Sequence, residues 1–336
     1  MKKTLEGKVA LVAGATRGAG RGIACTLGEA GAIVYCSGRS VRGKPATPNR
    51  PETIEETAEM VTARGGIGIA VRTDHTAPEQ VARLLKQIER EQKRLDIVVN
   101  DLWAGGEVSW RRFWNIPIDD GLHMLEHAVR AHVITDHYAV PLMIKTNRHV
   151  IPSRVDGKEP GRGVNVRHRP GSSPSTRLGM TSPLIVEVTE GDGFYYRGHF
   201  YYDLARIAEL RIAWGLAHEL KRYKIAVIAL TPGFMRTEMV LDSLDVTEAN
   251  WRDAIPRRPE FAESETPLFI GRTIVALATD AKVMKKSGRV FTSTKLAKEY
   301  DLTDIDGRVP NVWSYISDKM PSHRYKSCDD VFYSYC

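Results

Sequence analysis

A turn carrying three glycines, Gly14, Gly18 and Gly20, joins a short apolar run at residues 9–13 to an apolar stretch of helical pattern at about 21–29. Glycine there permits positive φ and close backbone approach. The helix that follows begins with unpaired N–H groups and the positive end of its dipole. A strand, such a turn and a helix make the opening of a parallel α/β sheet, and the rest of the chain keeps that rhythm. Apolar runs at 32–36, 67–71 and 97–99 read as the next three strands. Pro51 suits the first turn of a helix in which Ile54, Ala58 and Val61 share a face and which Gly65-Gly66 ends. Thr76 reads as the cap of a helix whose Val81, Leu84, Leu85 and Ile88 recur at i, i+3, i+4 and i+7. Further on, strands are expected at 184–188, 225–230 and about 289–291, with helices at 203–222 and around 269–278. Near-continuous apolar strands and right-handed crossovers imply one Rossmann-type, doubly wound parallel sheet with helices on both faces. Residues 1–300 are expected to form this single domain. It carries a basic insertion at 147–182 and is followed by a C-terminal extension at 301–336. There is no internal repeat and no second core.

The glycine turn reads Ala13-Gly14-Ala15-Thr16-Arg17-Gly18-Ala19-Gly20. Placed after the first strand, it is a diphosphate seat, and Gly14, Thr16, Arg17, Gly18 and Gly20 are expected to contact a dinucleotide. The end of the second strand, Cys36-Ser37-Gly38-Arg39-Ser40, lacks the carboxylate that usually holds the ribose 2′-hydroxyl of NAD. Arg39 and Arg17 offer charge-assisted partners for a 2′-phosphate instead, which favours NADP(H) over NAD(H). The alternative for either arginine is an ordinary surface residue.

Four segments in order and at spacing resemble the short-chain dehydrogenase/reductase family across roughly residues 5–295: the glycine triplet, Asp74 after the third strand, Tyr202 with Arg206 one helical turn later, and Pro232-Gly233-Phe234-Met235-Arg236-Thr237. The resemblance implies that Asp74 bonds the adenine amine, although a lone Asp before a helix is also a turn residue. It places Asn100, in Asn100-Asp101-Leu102-Trp103-Ala104-Gly105-Gly106, in an altered Asn-Asn-Ala-Gly segment of the cofactor site. Pro232, Gly233 and Thr237 would hold the nicotinamide carboxamide. Tyr202 would be the acid/base, and Thr189, thirteen residues earlier, would polarise the substrate oxygen. Arg206 stands where the family has lysine. It would lower the Tyr202 pKa by its charge, but it relays no proton. No asparagine occurs at 123–135, where many members carry a fourth catalytic residue.

Arg112-Phe113-Trp114-Asn115 and a long loop with Trp251 are similar to the dehydrogenase/reductase member-1-like branch and its bacterial relatives. Trp103, Trp110, Phe113 and Trp114 either line an apolar pocket over the nicotinamide or pack the loop. The expected activity is an NADP(H)-dependent interconversion of a carbonyl and an alcohol on a small apolar molecule. The alternative is a catalytically impaired dinucleotide-binding protein acting as a sensor or assembly subunit. The resemblance also implies a homo-oligomer.

Charge supplies a third possibility. Of the net +7, a local excess of five positive charges falls in 147–182, where seven Lys/Arg face only Asp156 and Glu159. Such a segment attracts nucleic acid or an anionic surface, but no aromatic residue interleaves the basic ones. Its prolines and glycines read more simply as a solvated insertion, and no nucleic-acid partner is expected. No apolar run reaches bilayer length, and no apolar leader opens the chain, so a cytoplasmic protein is expected. Cys25, Cys36, Cys328 and Cys336 have no metal spacing, and no metal is expected.

Overall fold

The computed structural model describes residues 3–103, 108, 111–148, 181–191 and 196–319. Trp110, Tyr195, Cys328, Cys336 and nearly all of the basic insertion lie outside the described residues. Seven strands form one parallel sheet: β1 (Val9–Ala13), β2 (Ile33–Gly38), β3 (Ile67–Arg72), β4 (Ile97–Asn100), β5 (Leu184–Val188), β6 (Ala226–Thr231) and β7 (Val290–Thr292). Their spatial order is β3-β2-β1-β4-β5-β6-β7. The chain builds outward from β1 to β3, then returns to lay β4 on the other side of β1. The crevice at that reversal is where such sheets bind ligands.

Alternation along the strands divides the core. Ala10 and Val12 of β1 face α1 (Gly18–Glu29) and α7 (Pro267–Thr279), together with Ile23, Ile270 and Ile274. Val9 and Leu11 face the other way, onto α3 (Pro78–Gln92), α4 (Ile118–Arg148) and α5 (Phe200–Leu220), through Leu84, Ile88, Met143 and Leu210. α2 (Ile54–Ala63) covers β2 and β3; α6 (Glu238–Ser243) and α8 (Ser293–Tyr300) follow β6 and β7.

Several boundaries differ from the sequence expectation. Thr76 does not cap α3; Ala77 is the capping residue and Pro78 opens the helix, its fixed φ making a side-chain cap unnecessary. Thr76 is instead held by Asp74, whose Oδ1 accepts from its backbone N–H at 2.9 Å and its hydroxyl at 2.7 Å. Pro51 precedes α2, which is capped by Thr53 accepting from the Glu56 N–H. α1 begins at Gly18 and α5 at Phe200, earlier than the apolar pattern indicated, because Gly18-Ala19-Gly20 and a run of three aromatic residues carry no helical periodicity.

Part of the C-terminal extension folds onto the domain. In α9 (Val312–Lys319), Trp313 Nε1 donates to the Pro232 carbonyl at 3.2 Å. Trp251 packs a separate cluster with Phe261 and Phe234 beneath the Arg236 guanidinium.

Candidate active site

The turn after β1 is shaped by close backbone approach. Gly14 has φ +92°, and a Cβ there would stand 2.0 Å from the Asp101 carbonyl oxygen; at Gly20 it would stand 2.3 Å from the Gly14 carbonyl oxygen. Side chains are thus excluded from the floor of the turn. The first N–H of α1, on Gly18, donates to the Glu238 carboxylate at 2.8 Å, so the helix start already holds an anionic group. Thr237, which caps α6, has its methyl beside Gly18, and Thr16 lies against Gly38 at the end of β2. Arg17 is committed to Glu52 (Nε, 3.2 Å) and Thr47 (Nη1, 3.1 Å), with Nη2 buried and unpaired. Arg39 is exposed at the end of β2. Its charge reaches Asp74. Burial pushes the Asp74 carboxyl up, but the Thr76 donors and Arg39 outweigh it and hold it below its ordinary range. A close glycine cradle, an anion-holding helix start and basic residues at the β2 end fit a dinucleotide.

Asn100 was expected to contact the cofactor. Its side chain turns into the protein instead, where Nδ2 donates to Asp136 Oδ1 at 2.9 Å and Glu187 Oε1 at 2.8 Å. It belongs to a buried polar cluster that the periodicity reading missed. His132 Nδ1 lies 2.5 Å from Glu187 Oε2, and its Nε2 lies 3.1 Å from the Leu102 carbonyl. Burial opposes charging of His132, yet Glu187 and then Glu209 outweigh it and lift its pKa to about 9. The signals in the sequence were a carboxylate inside an otherwise apolar strand, Glu187, and a histidine on the inner face of α4.

Tyr202 and Arg206 do share one face of α5, with the Arg206 guanidinium 5.2 Å from the Tyr202 ring centroid and 4.7 Å from that of Trp103. Arg206 Nη1 lies 3.1 Å from both Glu209 carboxylate oxygens. The expected lowering of the Tyr202 pKa is overturned in net effect. Burial raises it, Arg206 lowers it, Glu190 raises it again, and the phenol ends pushed up to about 12. The tyrosine is therefore a protonated donor.

Thr189 also departs from expectation: its hydroxyl donates to the Arg206 backbone carbonyl at 2.9 Å. The residue after it, Glu190, meets Tyr202, whose hydroxyl donates to the Glu190 carboxylate. Glu190 lies just past the strand end, where an isolated acidic residue gave no pattern to read. Pro232 and Gly233 follow β6; the Gly233 N–H donates to Glu265 Oε2 at 2.9 Å, and Ser293 donates to the same oxygen at 2.6 Å. Burial raises the Glu265 pKa to about 8. Among the aromatics, Trp103 meets Tyr202 edge-on at 5.1 Å, while Phe113 lies 5.0 Å from Phe200 and, like Trp114, is exposed.

A parallel sheet with this cradle at its reversal point, and a tyrosine and basic residue on the helix after β5, defines a nicotinamide-dinucleotide oxidoreductase. Residues 8–151 match the family model described as short chain dehydrogenase. The mouse (Mus musculus) protein "Dehydrogenase/reductase SDR family member 1" is 31% identical over 92% of this chain and 86% of its own length. A short chain dehydrogenase from Mycobacterium thermoresistibile superposes with a TM-score of 0.68 at 20% identity, over 92% of this chain and 95% of that one. Another, from Mycobacterium paratuberculosis and bound to NAD, gives 0.61 at 20% identity over 86% and 97%. The chain belongs to the short-chain dehydrogenase/reductase family, on its dehydrogenase/reductase member-1-like branch. Among the described residues, no helix is long and apolar enough to cross a membrane.

Proposed function

We propose that the protein is an NADP(H)-dependent oxidoreductase that interconverts a carbonyl and an alcohol on a small apolar molecule. The observation that carries this reading is the placement of the Tyr202 phenol and the Arg206 guanidinium together on α5, the helix that follows β5 in the sheet whose β1 leads into the glycine turn. Gly14, Thr16, Gly18 and Gly20 would hold the diphosphate, Asp74 the adenine, and Pro232, Gly233 and Thr237 the nicotinamide end. Asn100 would act only by shaping the β4 end. Arg39, exposed at the end of β2, which carries no carboxylate of its own, is the partner offered to a 2′-phosphate, with the spare Nη2 of Arg17 as a second. A nicotinamide held there would supply or accept the hydride.

Tyr202 donates its proton to the substrate oxygen on reduction and is reprotonated through its contact with Glu190. Arg206 is a fixed cation beside the phenol. Exposed Val133 of α4 and Leu204 and Trp214 of α5 support a homo-oligomer formed through these helices. A cytoplasmic location completes the reading. NADPH oxidation in the presence of apolar ketones and aldehydes tests it; absence of turnover with cofactor bound would count against it.

One observation favours a second reading, a dinucleotide-binding sensor or assembly subunit with impaired catalysis. The Tyr202 pKa is raised rather than lowered, even with the Arg206 cation beside it. Under that reading, Arg206→Lys would raise turnover by an order of magnitude or more.

A further inference from the structure

Glu190 places a carboxylate against the phenol, on the side from which a neutral hydroxyl was expected to polarise the substrate. Its position is built. The Arg197 side chain, almost wholly buried, donates through Nε to the Glu190 backbone carbonyl at 2.7 Å, and its Nη1 pairs with Asp203 Oδ1 at 2.8 Å. Glu190 is thereby held with its carboxylate on Tyr202. Arg206 lies between Glu209 and Glu190 and offsets only one of them: with His132 the layer holds two cations against the three carboxylates Glu187, Glu190 and Glu209. Asp101, across the crevice, adds a further carboxyl, raised by burial to about 6. Trp103 meets Tyr202 edge-on while its ring also carries the Arg206 guanidinium, and an aromatic row of Tyr201, Phe200 and Phe113 continues from the start of α5.

Charge decides which reactant such a site suits. Hydride addition to a carbonyl builds negative charge on oxygen, which a carboxylate in contact with the proton donor opposes. Hydride addition to a carbon–nitrogen double bond requires a protonated nitrogen, and the amine product is itself a cation near neutral pH. A carboxylate with aromatic walls stabilises both. We propose that this site also takes, and prefers, a basic carbon–nitrogen pair: an imine or iminium and its amine. The inference rests on the hydride-transfer reading above and names a substrate class for it. On reduction, a neutral imine nitrogen takes the Tyr202 proton on its lone pair (an iminium needs none), the carbon takes the hydride, and the carbon–nitrogen π pair becomes the amine lone pair, which then takes a proton from water. Tyr202 then recovers a proton from water through Glu190. Oxidation of the amine runs the same steps in reverse.

The test compares matched probes by calorimetry on the full chain, with and without NADP+. The protonated amine 1,2,3,4-tetrahydroisoquinoline is expected to bind at least tenfold tighter than its oxygen isostere isochroman. Glu190→Gln is expected to erase that difference. In turnover, 3,4-dihydroisoquinoline should be reduced faster than α-tetralone, and Glu190→Ser should reverse the order. Equal binding of the two probes by the wild type, which needs no variant to fold, overturns the proposal; so does a cation preference that survives in Glu190→Gln. Failure of the protein to bind either dinucleotide would instead overturn the hydride-transfer reading, while the cation comparison without cofactor still reports on Glu190.

Discussion

The two walls of the crevice are made by different means. On the β1 side the chain uses backbone: glycines that admit no side chain, a helix start offering N–H groups, and capping threonines. On the β5 side it uses charged side chains brought together from distant positions, with Glu187, Glu190, His132, Arg206 and Glu209 within one layer between β5, α4 and α5. Backbone geometry leaves few sequence solutions, so the first wall stays close to its family's pattern. Charge pairs can be exchanged in concert, so the second wall is free to change its chemistry while the fold stays the same.

The largest expected effect strikes the first wall. Gly14→Ala drives a Cβ into the Asp101 carbonyl at a positive φ, and dinucleotide affinity should fall more than about 100-fold, with a lowered melting temperature. Retained affinity would break the contrast, since that wall would then tolerate side chains. Tyr202→Phe strikes the second wall alone. Turnover should drop by about 10²–10⁴-fold while dinucleotide affinity in calorimetry stays within about twofold.

His132 tests whether the charge layer carries stability. His132→Ala leaves Glu187 buried without its cation, with the Asn100 hydrogen bond remaining, and urea unfolding should show a loss of about 3–5 kcal/mol. The pH dependence has a definite sign. The folded pKa of His132, about 9, lies above the unfolded value near 6.5, so its contribution is full below about 6.5 and is lost as pH rises through about 9. His75, bonded to Ser37 and Thr135, behaves oppositely: burial lowers its pKa to about 3, so its contribution is present above about 6.5 and is lost as pH falls toward 3. The His132 variant should lack the alkaline loss and keep the acid one. The smallest effect is on cofactor choice, where Arg39→Ala should cut the preference for NADPH over NADH about tenfold, read from paired dissociation constants.

What the sequence made legible follows the same division. The strands, their parallel order and the glycine turn were readable because apolar runs, helical spacing and glycine placement are local signals. Tyr202 and Arg206 were readable as an i, i+4 pair. Spacing located Thr189 but not its bond to the Arg206 carbonyl, nor that Glu190 meets the phenol, because the side-chain directions at the strand end depend on how it is clamped, here by Arg197. Thr76 failed as a cap because Asp74 competes for it. Glu190, Glu187 and His132 belong to contacts spanning 12 and 55 residues. No periodicity within one element marks such pairs, and only the folded sheet brings them together. Arg17 was readable as a phosphate ligand, but not that Glu52, 35 residues away, also engages its guanidinium.

The most direct test is calorimetric titration of the full chain with NADPH and with NADH. Saturable one-to-one binding is expected, with NADPH at least about tenfold tighter as a single added charge-assisted contact implies. The absence of saturable binding of either dinucleotide would contradict the assignment of the crevice as a nicotinamide-dinucleotide site.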